Sequence, residues 1–355
     1  MTRYYCSGFD LDNFFGHGLG DMFKTELEDT KSIVYIPAGV EKIEKARAKH
    51  IPNFTKHFKN VGIEFESVNI ITPELSPAEA KDMIKNANFV MLMGGDPYKQ
   101  KDLCKSLNIL DDLKNYNGVM LGLSAGAMLM SKYIIITPCS DEFPNFHIEP
   151  GLDLDNISIY PHNNTSDKEY PDELVSGDEV YKKSDLLQVA KDYGKFYLLQ
   201  DNLRENGLTD ISIIRSSAEK IEFYTENDGK IWLVDKDITL VKIMNRWTFD
   251  NDELFELVRN GRKRGTCSRN SDEEPMAKIG DVQEIYNSRG ETIRIQITAV
   301  RKCRFCDIDD AWAKIEGEGD LSLAYWRTVH IDFFNKYFPD FQETDWLELN
   351  EFVVI

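Results

Sequence analysis

The run GVMLGLSAGAML, Gly118 to Leu129, constrains this chain more than any other segment. A short apolar stretch ends in Gly-Leu-Ser-Ala-Gly and passes directly into small, helix-forming residues. That is the G-x-S-x-G pattern of a nucleophile elbow, in which a strand delivers its serine to a sharp turn before a helix. Gly122 and Gly126 remove the Cβ atoms that would clash there. The helix then aims free N–H groups and the positive end of its dipole at Ser124. A hydroxyl held this way attacks a carbonyl once a base stands beside it.

The elbow needs a sheet, and the flanking sequence supplies one. Apolar runs recur at Ser32–Pro37, Val68–Ile71, Phe89–Met93, Val119–Leu123, Ile157–Tyr160 and Phe196–Leu199. Helical patterns lie between several of them, at Val40–Phe58, Ser76–Asn86, Lys99–Asn115 and Asp178–Lys191. Strands alternating with helices predict an α/β fold with a doubly wound, mostly parallel sheet. The closely spaced runs Ile211–Arg215, Lys220–Tyr224 and Lys230–Val234, with turn residues such as Asn227-Asp228-Gly229, predict an antiparallel meander closing this domain.

In an open α/β sheet, functional groups gather at the carboxyl ends of the strands. Phe89–Met93 ends in Gly94-Gly95-Asp96, Val119–Leu123 in Ser124, Ile157–Tyr160 in Pro161-His162, and Phe196–Leu199 in Gln200-Asp201. A donor turn, a nucleophile, an imidazole and a carboxylate are thus expected on one sheet edge. His162 is the expected base, with His147 as the alternative; His17, His50, His57 and His330 do not directly follow a buried strand. Asp201 is the preferred carboxylate, with Asp141 and Glu142 as rivals. The backbone N–H groups of Gly95, beside Gly94, and of Ala125 are the expected oxyanion donors.

These residues also carry a resemblance. The motifs MGGDPYKQ (Met93–Gln100), GLSAGAM (Gly122–Met128) and YPH (Tyr160–His162), in this order, resemble the peptidase E and cyanophycinase family of serine peptidases. The likeness covers about residues 1–235. It implies a class I glutamine amidotransferase-like fold, hydrolysis of short peptides or small amides, Ser124 as nucleophile and His162 as base. Aspartyl dipeptidases of the family hold an acidic side chain with basic groups. The segment after His162, NNTSDKEYPDE, offers Lys168 alone, so no strong preference for N-terminal aspartate is expected.

Near residue 245 the character changes, which sets expected domains at 1–240 and 245–355. Asn251–Asn260 fits one amphipathic helix with Asp250 as N-cap, and GRKRGTCSRNSDEEP reads as loop. Strands are expected at Val282–Tyr286, Thr292–Val300 and Phe352–Ile355, with a helix over Thr328–Tyr337. GRKRGT (Gly261–Thr266), IGD (Ile279–Asp281) and EGEGDLSLAYWR (Glu316–Arg327) resemble the ASCH domain, a PUA-like β-barrel related to RNA-associated modules. Some ASCH proteins are amidohydrolases of modified cytidine that use a lysine, a threonine and a glutamate. The resemblance places these at Lys263, Thr266 and either Glu316 or Glu318. The cluster Arg259, Arg262, Lys263, Arg264 and Arg269 is a second way to hold a phosphate or nucleotide.

Charge and composition narrow the partners. The net charge of −19 over 355 residues, with both parts acidic, argues against non-specific binding of nucleic acid or an anionic membrane. No apolar run approaches a membrane span, and MTRYYCSGFD lacks a signal h-region. Six scattered cysteines suit a reduced, cytoplasmic protein. Cys303-x-x-Cys306 has no second pair at zinc spacing, so neither metal nor cofactor is expected. Two functions follow: a Ser–His–Asp peptidase or amidohydrolase with an appended nucleotide- or RNA-ligand module, or a nucleotide- or RNA-recognising ASCH protein whose first domain is an inactive scaffold or sensor. The sequence leaves substrate and oligomeric state open.

Overall fold

The computed structural model describes every residue except 9–18, 28, 139–144, 164–169, 177–178, 202–210, 219, 227–228, 242–244, 271–276, 290 and 339. The chain divides into two compact units, Met1–Ile243 and Met244–Ile355.

Among the described residues, seven strands form the main sheet of the first unit. Their order is Ile221–Glu226, Ile211–Ser217, Thr2–Cys6, Val119–Leu123, Phe89–Gly95, Ser32–Ala38 and Ser67–Ile70. The pairings from Thr2–Cys6 through Ser67–Ile70 are all parallel. Their near-continuous apolar runs follow from burial on both faces. Val34, Ile36, Val90, Leu92 and Met120 enter one core, while Ile33, Tyr35, Phe89, Met91 and Leu121 enter the other. Local chemistry sets the helices between them. Ser76 and Glu79 close a reciprocal capping box before Pro77–Lys85, and Asp96 caps Pro97–Ser106 through the N–H groups of Tyr98 and Lys99.

The remaining strands depart from the expectation of one sheet. Ile159–Tyr160 and Phe196–Leu199 belong to a second sheet, ordered Ile238–Leu240, Ile231–Val234, Phe196–Leu199, Ile159–Tyr160, Tyr133–Ile136 and His147–Pro150. The expected meander is also divided. Ile211–Ser217 and Ile221–Glu226 extend the main sheet antiparallel, and Ile231–Val234 joins the second. Apolar patterning specifies strands but not which strand each will pair with.

The second unit is a curled sheet ordered Asn245–Thr248, Val282–Tyr286, Thr292–Arg304, Trp346–Val354 and Gly265–Arg269. A register shift between Ile297 and Ala299 interrupts the long central strand, as a β-bulge does where a sheet curls. One core gathers Phe305, Trp312, Trp326 and Phe334, and another gathers Phe255, Ile285, Ile295 and Phe352. Two local expectations are corrected. Gly265–Arg269, read as loop, is a strand paired with Trp346–Val354, because its charged side chains find partners off the sheet. The N-cap of helix Asp252–Arg259 is Asn251, whose Oδ1 accepts from Leu254 N at 3.2 Å; Asp250 instead accepts from the Tyr337 hydroxyl and pairs with Lys336.

Candidate active site

Ser124 sits between Val119–Leu123 and the helix Ala125–Met130 with φ 49° and ψ −106°. This is left-handed territory for a non-glycine residue, and holding it costs about 1–3 kcal/mol. The turn is held by its surroundings. Ser124 N donates to Cys6 O at 2.9 Å, and a Cβ on Gly126 would stand 2.2 Å from Leu92 O. The neighbouring strand turns at Gly94-Gly95, against the elbow: a Cβ on Gly94 would lie 3.7 Å from Ser124 Cβ. Gln100, fully buried, fixes that turn by donating from Nε2 to Ile36 O at 2.8 Å and Met93 O at 3.1 Å.

His162 and Asp201 reach each other through the second sheet. Leu198 pairs with Tyr160 in a parallel register, and Asn163 N donates to Leu199 O at 3.0 Å. The two strands therefore end side by side, with the imidazole and the carboxylate just beyond them. His162 itself has φ 64°. Its Nε2 lies 2.7 Å from Ser124 Oγ and its Nδ1 lies 2.6 Å from Asp201 Oδ2. Exposure falls along this relay, from 53% for the His162 side chain to 10% for Asp201. Burial pushes the Asp201 carboxyl above its ordinary value of 3.8, against the lowering effect of the His162 hydrogen bond. Of the alternatives, Asp141 and Glu142 lie outside the described residues. His147 stands at the start of strand His147–Pro150, its Nε2 3.4 Å from Glu149.

One positioning residue was missed by the sequence reading. Gly8 follows the strand Thr2–Cys6, and a Cβ there would stand 2.6 Å from Asp201 Oδ2 and 3.1 Å from Asp201 Cβ. A lone glycine after a strand carries no signal of what packs on it. Gly8→Ala is expected to displace the carboxylate from His162 Nδ1 and to reduce Ser124 reactivity at least tenfold, by misplacing the third group of the relay. Acylation rates of the two proteins, compared at equal folded fraction, test this; equal rates would refute the packing argument.

In the second unit a buried charge cluster forms around Lys263. Its ammonium lies 2.5 Å from Glu316 Oε2 and 2.6 Å from Glu318 Oε1, with side-chain exposures of 1%, 1% and 11%. The helix Asp310–Glu316 ends at a left-handed Gly317, which brings both glutamates to one cation. Trp312 Nε1 donates to Glu316 Oε1 at 3.0 Å, and His330 Nε2 lies 3.7 Å from that oxygen. His330 Nδ1 lies 2.9 Å from Trp326 O, which it satisfies as the protonated nitrogen. Burial alone would lower Lys263 and raise Glu316; the opposite charges override it, so Lys263 is raised and Glu316 lowered.

Thr266 is placed differently from the expected ligand set. It pairs with Asn350, and by alternation faces the opposite side of its strand from Gly265 and Cys267. Cys267 is the residue that meets Glu316; burial first, then that carboxylate, push its thiol well up. The ligand atoms of Cys267, Glu316 and His330 lie within 4.8 Å of one another, a spacing that could hold a metal. Lys263 already stands as a cation beside Glu316, shared with Glu318. The expected basic patch is dispersed. Arg259 pairs with Glu256 and Glu291, Arg269 with Asp340 and Asp345, and Arg262 donates to Gly319 O.

Residues 15–190 match the model of peptidase family S51, and residues 245–355 match that of the ASCH domain. Peptidase E of Nostoc sp. is 25% identical over 216 residues, 56% of this chain and 81% of that protein. A crystal structure of a peptidase from an acI-B1 Actinobacterium is similar at 16% identity, over 68% of this chain and 94% of that one, with a TM-score of 0.43. The ASCH domain structure from Lactobacillus crispatus is similar at 32% identity, over 31% of this chain and 79% of that one, with a TM-score of 0.29. No described helix is long and apolar enough to cross a membrane.

Proposed function

We propose that this chain, whose N-terminal region is a peptidase family S51 domain and whose residues 245–355 are an ASCH domain, is a cytoplasmic serine peptidase or amidohydrolase cleaving short peptides or small amides through Ser124, His162 and Asp201. The observation that carries the reading is the unbroken relay from Ser124 Oγ to His162 Nε2 at 2.7 Å and from His162 Nδ1 to Asp201 Oδ2 at 2.6 Å. Asp201 accepts from Nδ1–H and so leaves Nε2 unprotonated toward the serine. His162 takes the hydroxyl proton as Oγ bonds to the substrate carbonyl carbon. The N–H groups of Gly95 and Ala125 receive the negative charge that develops on the carbonyl oxygen. His162 then returns the proton to the leaving amine, and water repeats the sequence on the acyl-enzyme. For the ASCH unit the proposed ligand is a nucleotide or modified nucleoside, with Lys263, Glu316 and Glu318 as its candidate site and Thr266 facing away from it.

Asp201→Asn tests the relay. The amide is isosteric but favours the wrong imidazole tautomer, so activity is expected to fall roughly 10³–10⁴-fold. Stability is expected to move the other way. A carboxyl whose folded pKa is raised opposes folding when ionised; this cost is absent below 3.8 and grows as pH rises from there through the raised folded value. The variant should therefore melt no lower than the parent at neutral pH. Parallel rate and melting measurements decide it. Activity retained within tenfold would remove Asp201 from the mechanism.

A further inference from the structure

The strand Gly265–Arg269, the C-terminal end of helix Asp310–Glu316 and the helix Leu323–Tyr337 meet at one point of the second unit. Each brings one group there: the Cys267 thiol, the Glu316 carboxylate and the His330 imidazole, whose ligand atoms all lie within 4.8 Å of one another. We propose that these three side chains bind a zinc ion, with water or an incoming ligand in its fourth position. The inference does not depend on the reading of Ser124. It shares Glu316 with the ligand site proposed for the ASCH unit, so its test uses the metal alone.

Three observations support it. First, the donor set suits zinc. A thiolate and an imidazole are ligands that zinc takes readily, whereas magnesium and calcium seek oxygen. Three protein ligands with one position left is the pattern of zinc sites that keep a place for water. Bonds of about 2.0–2.3 Å around a tetrahedral zinc set its ligand atoms roughly 3.3–3.6 Å apart. His330 Nε2 and Glu316 Oε1 stand at 3.7 Å, too far for a hydrogen bond and close to that spacing. The edges to Cys267, no longer than 4.8 Å, close as the thiol rotates about its Cα–Cβ bond. Second, each ligand is aimed by a partner outside the site. His330 Nδ1 donates to Trp326 O at 2.9 Å, which turns Nε2 toward Glu316 as the nitrogen with the lone pair. Glu316 Oε2 accepts from Lys263 at 2.5 Å and Oε1 from Trp312 Nε1 at 3.0 Å, which leaves a second lone pair on Oε1 for the metal. Cys267 is fixed by its strand pairing with Leu349. Such outer partners orient the ligands of metal sites. Third, the charges sum correctly. Glu316 and Glu318 carry two negative charges against one ammonium, which leaves one negative charge in a buried cluster. Zinc brings two positive charges as Cys267 releases its proton to solvent, and the sum becomes zero.

The test titrates zinc chloride into the full chain after treatment with a chelator. About one equivalent is expected to bind, with a Kd of about 1 μM or tighter, and excess magnesium should not displace it. Cobalt(II) in place of zinc should give a thiolate-to-metal charge-transfer band and the intense visible bands of a four-coordinate ion. Cys267→Ser should remove the charge-transfer band. It and His330→Gln should each weaken binding roughly a hundredfold. Cys303→Ser/Cys306→Ser, which removes the other half-buried and exposed thiols of this unit, should keep both band and affinity. A band that survives in Cys267→Ser but is lost in that double variant would put the metal elsewhere and overturn the proposal, as would a parent that binds no zinc. Nitrogen resonances of the parent's histidine rings give a readout that needs no folded variant. Zinc should shift His330 Nε2 while Nδ1 keeps its proton, and a His330 ring unmoved in zinc-saturated protein would count against the site.

Discussion

Ser124→Ala is expected to abolish covalent labelling by serine-directed acylating probes and to lower hydrolysis by roughly four to six orders of magnitude. The size of the effect follows from what the hydroxyl does. It is the atom that bonds to the substrate, and no group can replace it at 2.7 Å from His162 Nε2. Among the described residues, Ser131 Oγ donates to Ala127 O and Ser7 Oγ to Gln200 O, each a bond to a backbone carbonyl rather than to a base. The alanine variant should fold, since the methyl group fits wherever the serine side chain fits. Mass spectrometry of the labelled peptide is the direct check. Labelling that persists in the variant at an unchanged rate would place the nucleophile elsewhere.

Lys263→Met is expected to destabilise the second unit by about 3–5 kcal/mol at neutral pH, because it strands Glu316 and Glu318 in a buried site without their cation. The pH dependence has a definite sign. Glu316 is lowered from its ordinary 4.5, so its contribution is present above that value and is lost as pH falls through the depressed pKa. Lys263 is raised from 10.5, so its contribution is complete below that value and is lost as pH rises through the elevated one. The parent therefore keeps the cluster's stabilisation between about 4.5 and 10.5. The penalty in the variant should shrink in acid, where the stranded Glu316 carboxyl takes up a proton. Amide exchange in the strand Trp346–Val354 reads the stability of this unit directly. Protection equal to the parent at pH 7 would show that the cluster is already neutral. Neutralising all three groups, as in Lys263→Met/Glu316→Gln/Glu318→Gln, should recover much of the loss.

Much of the candidate site was legible because each group follows its own strand. Gly95, Ser124, His162 and Asp201 are all read from one rule, that side chains at strand ends converge. What that rule missed came from packing. Gly8 matters through the space it leaves for Asp201, and Gln100 through two carbonyls distant in sequence. Lys42, Lys45 and His50 look like the solvated face of an amphipathic helix until Gly94-Gly95 is found beside them. In the second unit, Cys267 and His330 join Glu316 only because a strand and a helix dock on the same helix end. The charges of GRKRGTCSRN suggested a loop, yet Arg269 and Lys263 are paired by carboxylates far along the chain.

By itself, then, the sequence determined the local structure and its chemistry: the elbow at Ser124, the capping box at Ser76, the alternation of strand and helix, and the change of character near residue 245. These depend on neighbours within a few positions, through backbone sterics, capping and hydrophobic period. Only the tertiary structure decided that two sheets rather than one bring serine and imidazole together, that Thr266 turns away from Cys267 and Glu316, and that Lys42, Lys45 and His50 line one pocket with Gly94-Gly95. Strand partners and buried ion pairs are chosen by burial and desolvation summed over the whole fold, and no window of sequence contains that sum.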